Sequence, residues 1–428
     1  MRLRLLTSPV AVLLLANLVS TVVGGLYFLA ASRSLSLADM GLYTVAISLQ
    51  LLFSSIVGGG LHVATVRLGA EHLRHHRRAE AAGLVTFSLL LACAATLLAG
   101  GLSLAAEGLG LLRSHYLAFP FLLLVTVWAG SRTVVNCELG GLLAQQRLYL
   151  GAGLVLLGAL TGLASLGAAM LGGPLTLTRL LQAHSLGVGA SAFLGLSFLV
   201  PLWRTGLALR RSLLRELLTY ARWPALCQGA ESLQINLAPF LVIAWAGTTA
   251  AGLFSMGRYP AFVFGVVTVA LYQYWLPAAS RQNGHAQFSS FFRRQIRLAA
   301  FMGAAMVVCA LAASPLLPLL GPSFAAAGLL FLINALDFAV LVLTKPVDAV
   351  YHGLRKPQLE LLRRLGRLPF IVGLALLLVP SYGAMGMAWA QLGSALAVLL
   401  VGLWLLRREL RHLAVQESLE LAPEEAPL

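Results

Sequence analysis

The sequence predicts an all-α polytopic membrane protein with about twelve transmembrane helices. Three observations predict it. The 428 residues are 59% hydrophobic and only 11% charged, whereas soluble domains carry about 25% charged residues. Apolar stretches of about 20 residues recur along the chain, each long enough to cross ~30 Å of hydrocarbon as a helix. The cations fall in alternate loops. A β-barrel would show alternating segments of ~10 residues, and the chain contains none.

In order, the spans are predicted at 8–32, 40–66, 81–106, 115–141, 149–172, 177–202, 224–246, 250–277, 298–315, 323–350, 366–381 and 383–406. The start, "MRLRLLTSPVAVLLLANLVSTVVGG", carries Arg2 and Arg4 as a signal peptide would. Its apolar part exceeds the ~7–15-residue core of such peptides, so it is expected to be a retained first span. The outward loops "AGTT", "SPLLPLLGPS" and "PSYGAM" are too short for a folded domain. The inner segment "WRTGLALRRSLLRELLTYAR" has leucines at helical spacing with arginines between them. It is expected to lie as an amphipathic helix on the inner surface. The domains expected are a six-helix N-terminal half at 1–202, this cytoplasmic linker at 203–223, a six-helix C-terminal half at 224–406 and a cytoplasmic tail at 407–428. From Glu417 the tail is acidic and holds Pro423 and Pro427, so it is expected to be disordered.

The chain has 30 Lys and Arg against 15 Asp and Glu, a formal net charge of +15. In a soluble protein that balance would suggest nucleic acid. Here 24 of the 30 cations lie at the start, after even-numbered spans or in the tail, all on one side of the membrane. The opposite loops hold only Arg33 and Arg113. The positive-inside rule then places both termini in the cytoplasm and explains the charge without nucleic acid. The run "EHLRHHRRAE" at 71–80 reads as a solvated cytoplasmic turn rather than a metal site. Cys93, Cys137, Cys227 and Cys309 lie singly in apolar runs, which fits packing and neither disulfides nor metal. No cofactor is expected.

Two stretches repeat at an offset of 211 residues, with Gly41-Leu42-Tyr43 becoming Gly252-Leu253-Phe254. Ser36 with Asp39 three residues on reads as a capping box at a helix start, and Thr248 and Thr249 are expected to serve the same end in the second copy. The glycine and the following ring suit close helix approach and an interfacial anchor. "LLRSHYLAFPFLLLV" and "LLGPSFAAAGLLFLI" also correspond near this offset. Six spans therefore repeat in one orientation, a pattern of transporters whose site lies between the halves.

The stretch "LAASRSLSLADMGLYTVAISLQLLFSSIVGGGLHVATVRLGA" carries Asp39, Gly41 and Tyr43 in a short loop, then a span ending in Arg67. "ARWPALCQGAESLQINLAPFLVIAWAGTTAAGLFSMGRYPAFVFGVVTVALYQYWLPAAS" opens a span with Pro224 and closes the next with Pro277. In these features the chain resembles the bacterial O-antigen and polysaccharide flippases of the multidrug/oligosaccharidyl-lipid/polysaccharide exporter superfamily, over most of 8–406. Asn236 stands where related flippases often carry an acidic residue. The resemblance implies two six-helix bundles around a central cavity that work by alternating access in the bacterial cytoplasmic membrane. The implied cargo is an undecaprenyl-pyrophosphate-linked oligosaccharide. Implied partners are membrane lipids and the glycan polymerase or glycosyltransferases of the same pathway.

Ionisable residues inside spans usually face the bundle interior. Arg132 lies mid-span with Asn136 one turn on, Glu231 lies in the seventh span and Arg258 in the eighth. In the tenth, Asn334, Asp337, Lys345 and Asp348 share one helical face, and Pro346 is expected to kink it. A pyrophosphate would need a cation, best an arginine fork. Arg132, Arg258, Lys345 and Asn334 are therefore the candidates for substrate contact. Internal pairing of Asp337 with Arg258 and of Asp348 with Lys345 fits the same residues. Asp337 and Glu231 are candidates for a coupling proton or sodium ion. A cation-coupled small-molecule antiporter of the multidrug branch is the rival expectation. A membrane enzyme is not expected, because the outward loops with Asp39, Glu107, Arg113 and His115 are too short for a catalytic site and no G-x-S-x-G or H-E-x-x-H motif occurs.

Overall fold

The computed structural model describes residues 9–109, 119–279, 282, 284–354 and 356–420. Arg113, His115 and the tail beyond Glu420 lie outside the described residues. Every regular element among the described residues is helical. The chain divides into two compact units between Leu237 and Ala238.

The first unit contains α1 (Pro9–Ser34), α2 (Leu37–Phe53), a π-helical turn (Ser54–Gly59), α3 (Gly60–Arg74), α4 (Arg78–Gly108) and α5 (Phe119–Ala144). It continues with α6 (Leu148–Leu171), α7 (Leu177–Gly195), a 3-10 turn (Leu196–Leu199), the short α8 (Val200–Trp203) and α9 (Arg211–Asn236). Ser36 caps α2 as expected, accepting from the Asp39 amide at 3.1 Å while its hydroxyl donates to the Asp39 carboxylate at 2.8 Å. α2 and α3 form one 38-residue span, interrupted by the π turn. π turns arise where an extra residue is accommodated in a helix, often beside functional groups. Here the turn ends in Gly58 and Gly59, and Gly60 follows. A Cβ on Gly59 would collide with Gln228, and one on Gly60 with the Ala221 carbonyl of α9, so the glycines permit backbone contact.

α9 takes up most of the expected amphipathic linker and packs in the first unit. Leu213 and Leu217 are buried with Leu84, Leu142 and Leu154, while Arg211, Arg215 and Arg222 stay exposed. Its apolar face therefore covers protein, where a membrane-surface helix was expected.

The second unit contains α10 (Ala238–Ala279), α11 (Gly284–Ala313), a 3-10 turn (Ser314–Leu320), the short α12 (Pro322–Ala325), α13 (Gly328–Gly353) and α14 (Pro357–Glu420). α10 breaks at Gly247 (φ 83°, ψ 175°) and α14 at Gly383 (φ 54°, ψ −128°). Glycine alone adopts such angles without strain. Gly247 makes the turn at which Thr248 and Thr249 were expected to cap. In α14 the two arms fold back closely, because a Cβ on Gly386 would strike the backbone of Leu378. Among the described residues ten helical segments are long and apolar enough to span a membrane, and the two 58-residue ones, Arg211–Thr268 (α9 with the start of α10) and Gln358–Val415, are broken at Gly247 and Gly383 into two arms each. The twelve predicted spans are thus accounted for.

α13 runs through Pro346 as one helix. α14 extends through the tail to Glu420, where Glu417 accepts from the His285 amide at 2.7 Å. The acidic tail is therefore helical and anchored up to that point. Outward-facing leucines such as Leu171, 92% exposed, and Leu377, 73% exposed, show surfaces suited to lipid.

Candidate functional site

α13 has an apolar composition, so the polar face that the sequence places on it must find partners inside the protein. It does. Asp337 is completely buried and holds two guanidiniums at once. Its Oδ2 accepts from Arg258 Nη1 of α10 at 2.9 Å, and its Oδ1 from Arg367 Nη2 of α14 at 3.0 Å. Arg258 also donates to Asn334 Oδ1 at 2.9 Å and lies over the rings of Phe262 and Phe338 at 5.4 and 5.2 Å. Arg367 reaches Ser394 Oγ and the Gln391 carbonyl, both at 3.2 Å. Arg258 and Arg367 are each only 5% exposed. Charges so buried persist only when paired and hydrogen-bonded. The three helices are therefore tied together by one carboxylate and two cations, with a surplus of one positive charge.

A second node lies along the same face of α13. Asp348, also completely buried, accepts from Arg363 Nη2 at 2.6 Å on Oδ2 and from Nε at 3.0 Å on Oδ1, a bidentate fork. Lys345 Nζ stands 3.9 Å from Asp348 and 5.4 Å from the ring centre of Tyr272. Further along, Glu360 joins Arg364, His352 and Tyr272, and Lys356 pairs with Glu409. The first two nodes together hold Arg258, Arg367, Arg363 and Lys345 against Asp337 and Asp348.

Of the six residues expected at the site, the structure brings together Arg258, Asn334 and Asp337, with Lys345 at the neighbouring node. Arg132 and Glu231 belong to the first unit. Arg132 is exposed on α5, and among the described residues it makes no ion pair. Glu231 is half-buried on α9. Both internal pairings considered from sequence, Asp337 with Arg258 and Asp348 with Lys345, are present. Arg363 and Arg367, which the sequence assigned to the inner loop as orientation charges, are instead 6% and 5% exposed. Their i, i+4 spacing places both on one face of α14, which was the available signal.

The first unit has its own buried polar groups. Glu138 on α5 is fully buried, and among the described residues neither carboxylate oxygen has a hydrogen-bond partner. His184 is stacked between Tyr27 and Trp128, ring centres 3.9 and 4.1 Å away, and shares a 2.7 Å hydrogen bond with the Tyr43 hydroxyl. The Tyr43 of the repeated loop motif is thus 1% exposed and locked inward, not an interfacial anchor.

No protein-family model matches the chain, and no curated protein does. Solved structures do. An inward-facing multidrug resistance MATE family transporter of the MOP superfamily is similar with a TM-score of 0.75 and 16% identity, over 91% of this chain and 98% of that one. The lipid II flippase MurJ in an inward closed conformation is similar with a TM-score of 0.75 and 12% identity, over 92% and 87%. A MOP superfamily transporter from Pyrococcus furiosus, described as having a binding pocket of reverse polarity, gives 0.63 and 16%, over 95% and 97%. At these identities the likeness establishes the fold: the chain is an all-α polytopic membrane protein built like these transporters.

Proposed function

We propose that the chain is an alternating-access flippase that moves an undecaprenyl-pyrophosphate-linked oligosaccharide across the bacterial cytoplasmic membrane, for O-antigen or related polysaccharide synthesis. The observation that carries this is the surplus of buried cations over carboxylates on α10, α13 and α14. A pyrophosphate is doubly anionic and is bound best by guanidinium forks. The likeness to a structure named as a lipid II flippase supports a lipid-linked cargo. The loop arginines favour a cytoplasmic location for both termini. The sequence repeat, six spans in one orientation, is a transporter pattern that supports the reading. Glycosyltransferases and a polymerase of the same pathway are the expected partners.

A cation-coupled small-molecule antiporter is the second reading. It is favoured by the likeness to multidrug transporters and by Asp337, a buried carboxylate between two cations. One experiment separates them. The purified chain is reconstituted in liposomes containing a labelled undecaprenyl-pyrophosphate oligosaccharide, and leaflet exchange is followed by protection from an added glycosidase. Accelerated exchange supports the flippase. No exchange, together with gradient-driven uptake of cationic dyes, supports the antiporter.

A further inference from the structure

At the arginine-rich end of the first unit, a cavity of ≈ 880 Å³ opens between the α3–α4 turn, the α5–α6 turn and α8 with Thr205 just after it. Arg67, Arg74, Arg78 and Arg147 line it, and Glu71 is the only carboxylate in its wall. Arg67 donates to the Tyr220 hydroxyl at 2.8 Å. Among the described residues none of the four guanidiniums pairs with a carboxylate. The contrast is local: just outside, Arg77 and Arg210 both approach Glu80, at 3.6 and 3.7 Å. Glu71 offsets one of the four, by its field on Arg67, and the remaining surplus of like charge repels itself unless an anion is shared between the arginines.

The cavity walls are built, not incidental. His76 (φ 59°) and Gln146 (φ 57°) are the only non-glycine residues of positive φ among the described residues, and both line it. Each closes the same turn. His76 N donates to Leu73 O and Arg77 N to His72 O; Gln146 N donates to Leu143 O and Arg147 N to Leu142 O. This is the Schellman closure ordinarily left to glycine. The two turns hold Arg74 and Arg147 at the cavity's edge. Beside them Tyr149, Leu150 and Val200 expose apolar surface suited to acyl chains.

We infer that this cavity binds the phosphate-bearing head group of a membrane lipid. Arginine forks match phosphate oxygens, and basic pockets between transmembrane helices are the usual seats of acidic head groups. The phosphate can come from a bulk anionic phospholipid or from a polyprenyl pyrophosphate. The inference does not rest on the proposed cargo; only the second source does.

The test titrates the full chain in neutral detergent with dioleoyl-phosphatidylglycerol, undecaprenyl pyrophosphate or inorganic pyrophosphate, and counts bound molecules by native mass spectrometry. One lipid molecule of either kind is expected to bind tightly, and the preferred one identifies the source. Arg74→Gln with Arg147→Gln should weaken that binding about tenfold or more, since each removes a charge-assisted contact. Thr205→Trp fills the cavity without altering charge and should weaken it too. Arg407→Gln with Arg408→Gln removes two exposed cations elsewhere and should leave it unchanged. An equal loss in that control, no loss in the cavity variants, or equally tight binding of inorganic pyrophosphate would overturn the inference.

Discussion

Replacing Asp337 by Asn removes one negative charge and leaves two buried cations. In the native protein each of its oxygens serves one guanidinium, at 2.9 and 3.0 Å, and the carboxylate has no exposure. Breaking a single buried pair costs roughly 3–5 kcal/mol, because the orphaned charge stays desolvated. Here two are orphaned, but each keeps secondary partners. Arg258 retains Asn334 and two aromatic faces, and Arg367 retains Ser394 and the Gln391 carbonyl. A loss of about 3–5 kcal/mol is therefore expected. Titrating the purified variant with SDS in mixed micelles, with helix content followed by circular dichroism, measures it. A cycle with Arg367→Gln should show a coupling of about 1–3 kcal/mol, since the double variant no longer strands Arg367. Stability within about 0.5 kcal/mol of the parent, or strictly additive single effects, would refute the buried pairing as a stabilising contact. Unchanged stability with transport that no longer follows the ion gradient would instead assign Asp337 to coupling.

Arg258→Ala should abolish leaflet exchange in the liposome assay while the protein still inserts, and Arg258→Lys should restore part of it, a point charge replacing a fork; full activity in Arg258→Ala would confine Arg258 to structure. Gln146→Gly relieves a left-handed residue and should raise stability by about 1 kcal/mol, read as a higher unfolding temperature in detergent. Gly386→Ala drives a methyl into the Leu378 backbone and should destabilise by about 1–3 kcal/mol, whereas Gly373→Ala, with open space around it, should be near neutral.

The fold was legible because the membrane imposes a length scale. The predicted apolar runs fall on helical segments long and apolar enough to cross a membrane, and Ser36 with Asp39 marked the start of α2 from local chemistry alone. What failed was detail that depends on the opposite wall. The turn at Gly247 uses a positive φ, and nothing in the local pattern around Thr248 and Thr249 marked the glycine as its pivot. Tyr43 looked like an interfacial ring because it follows a loop. Its hydrogen bond to His184, which lies 141 residues away, is visible only in three dimensions. The turns near 71–80 and after 141 were expected, but their left-handed closing residues, His76 and Gln146, are not glycine and so carried no sign in the sequence.

The site was half legible for a related reason. Asn334, Asp337, Lys345 and Asp348 stood out because charge inside a long apolar helix is rare. Arg363 and Arg367 did not, because they follow a loop where arginines ordinarily set orientation. α14 begins at Pro357, ahead of the span predicted from 366, so these residues lie on a helix and inside the protein. Their partners decide their role: Asp348 and Asp337 capture them, Glu360 takes Arg364 and Glu409 takes Lys356. Most of the cations that seemed to orient the α13–α14 loop are therefore neutralised by the protein itself. In the first unit the situation is reversed, since Arg74, Arg78 and Arg147 have no carboxylate partner among the described residues. The single excess of basic residues that the sequence displays thus divides into two kinds: one is buried and mostly paired with internal carboxylates, leaving the surplus around Asp337 and Asp348, and the other lies in the first unit's cavity wall without a carboxylate partner among the described residues.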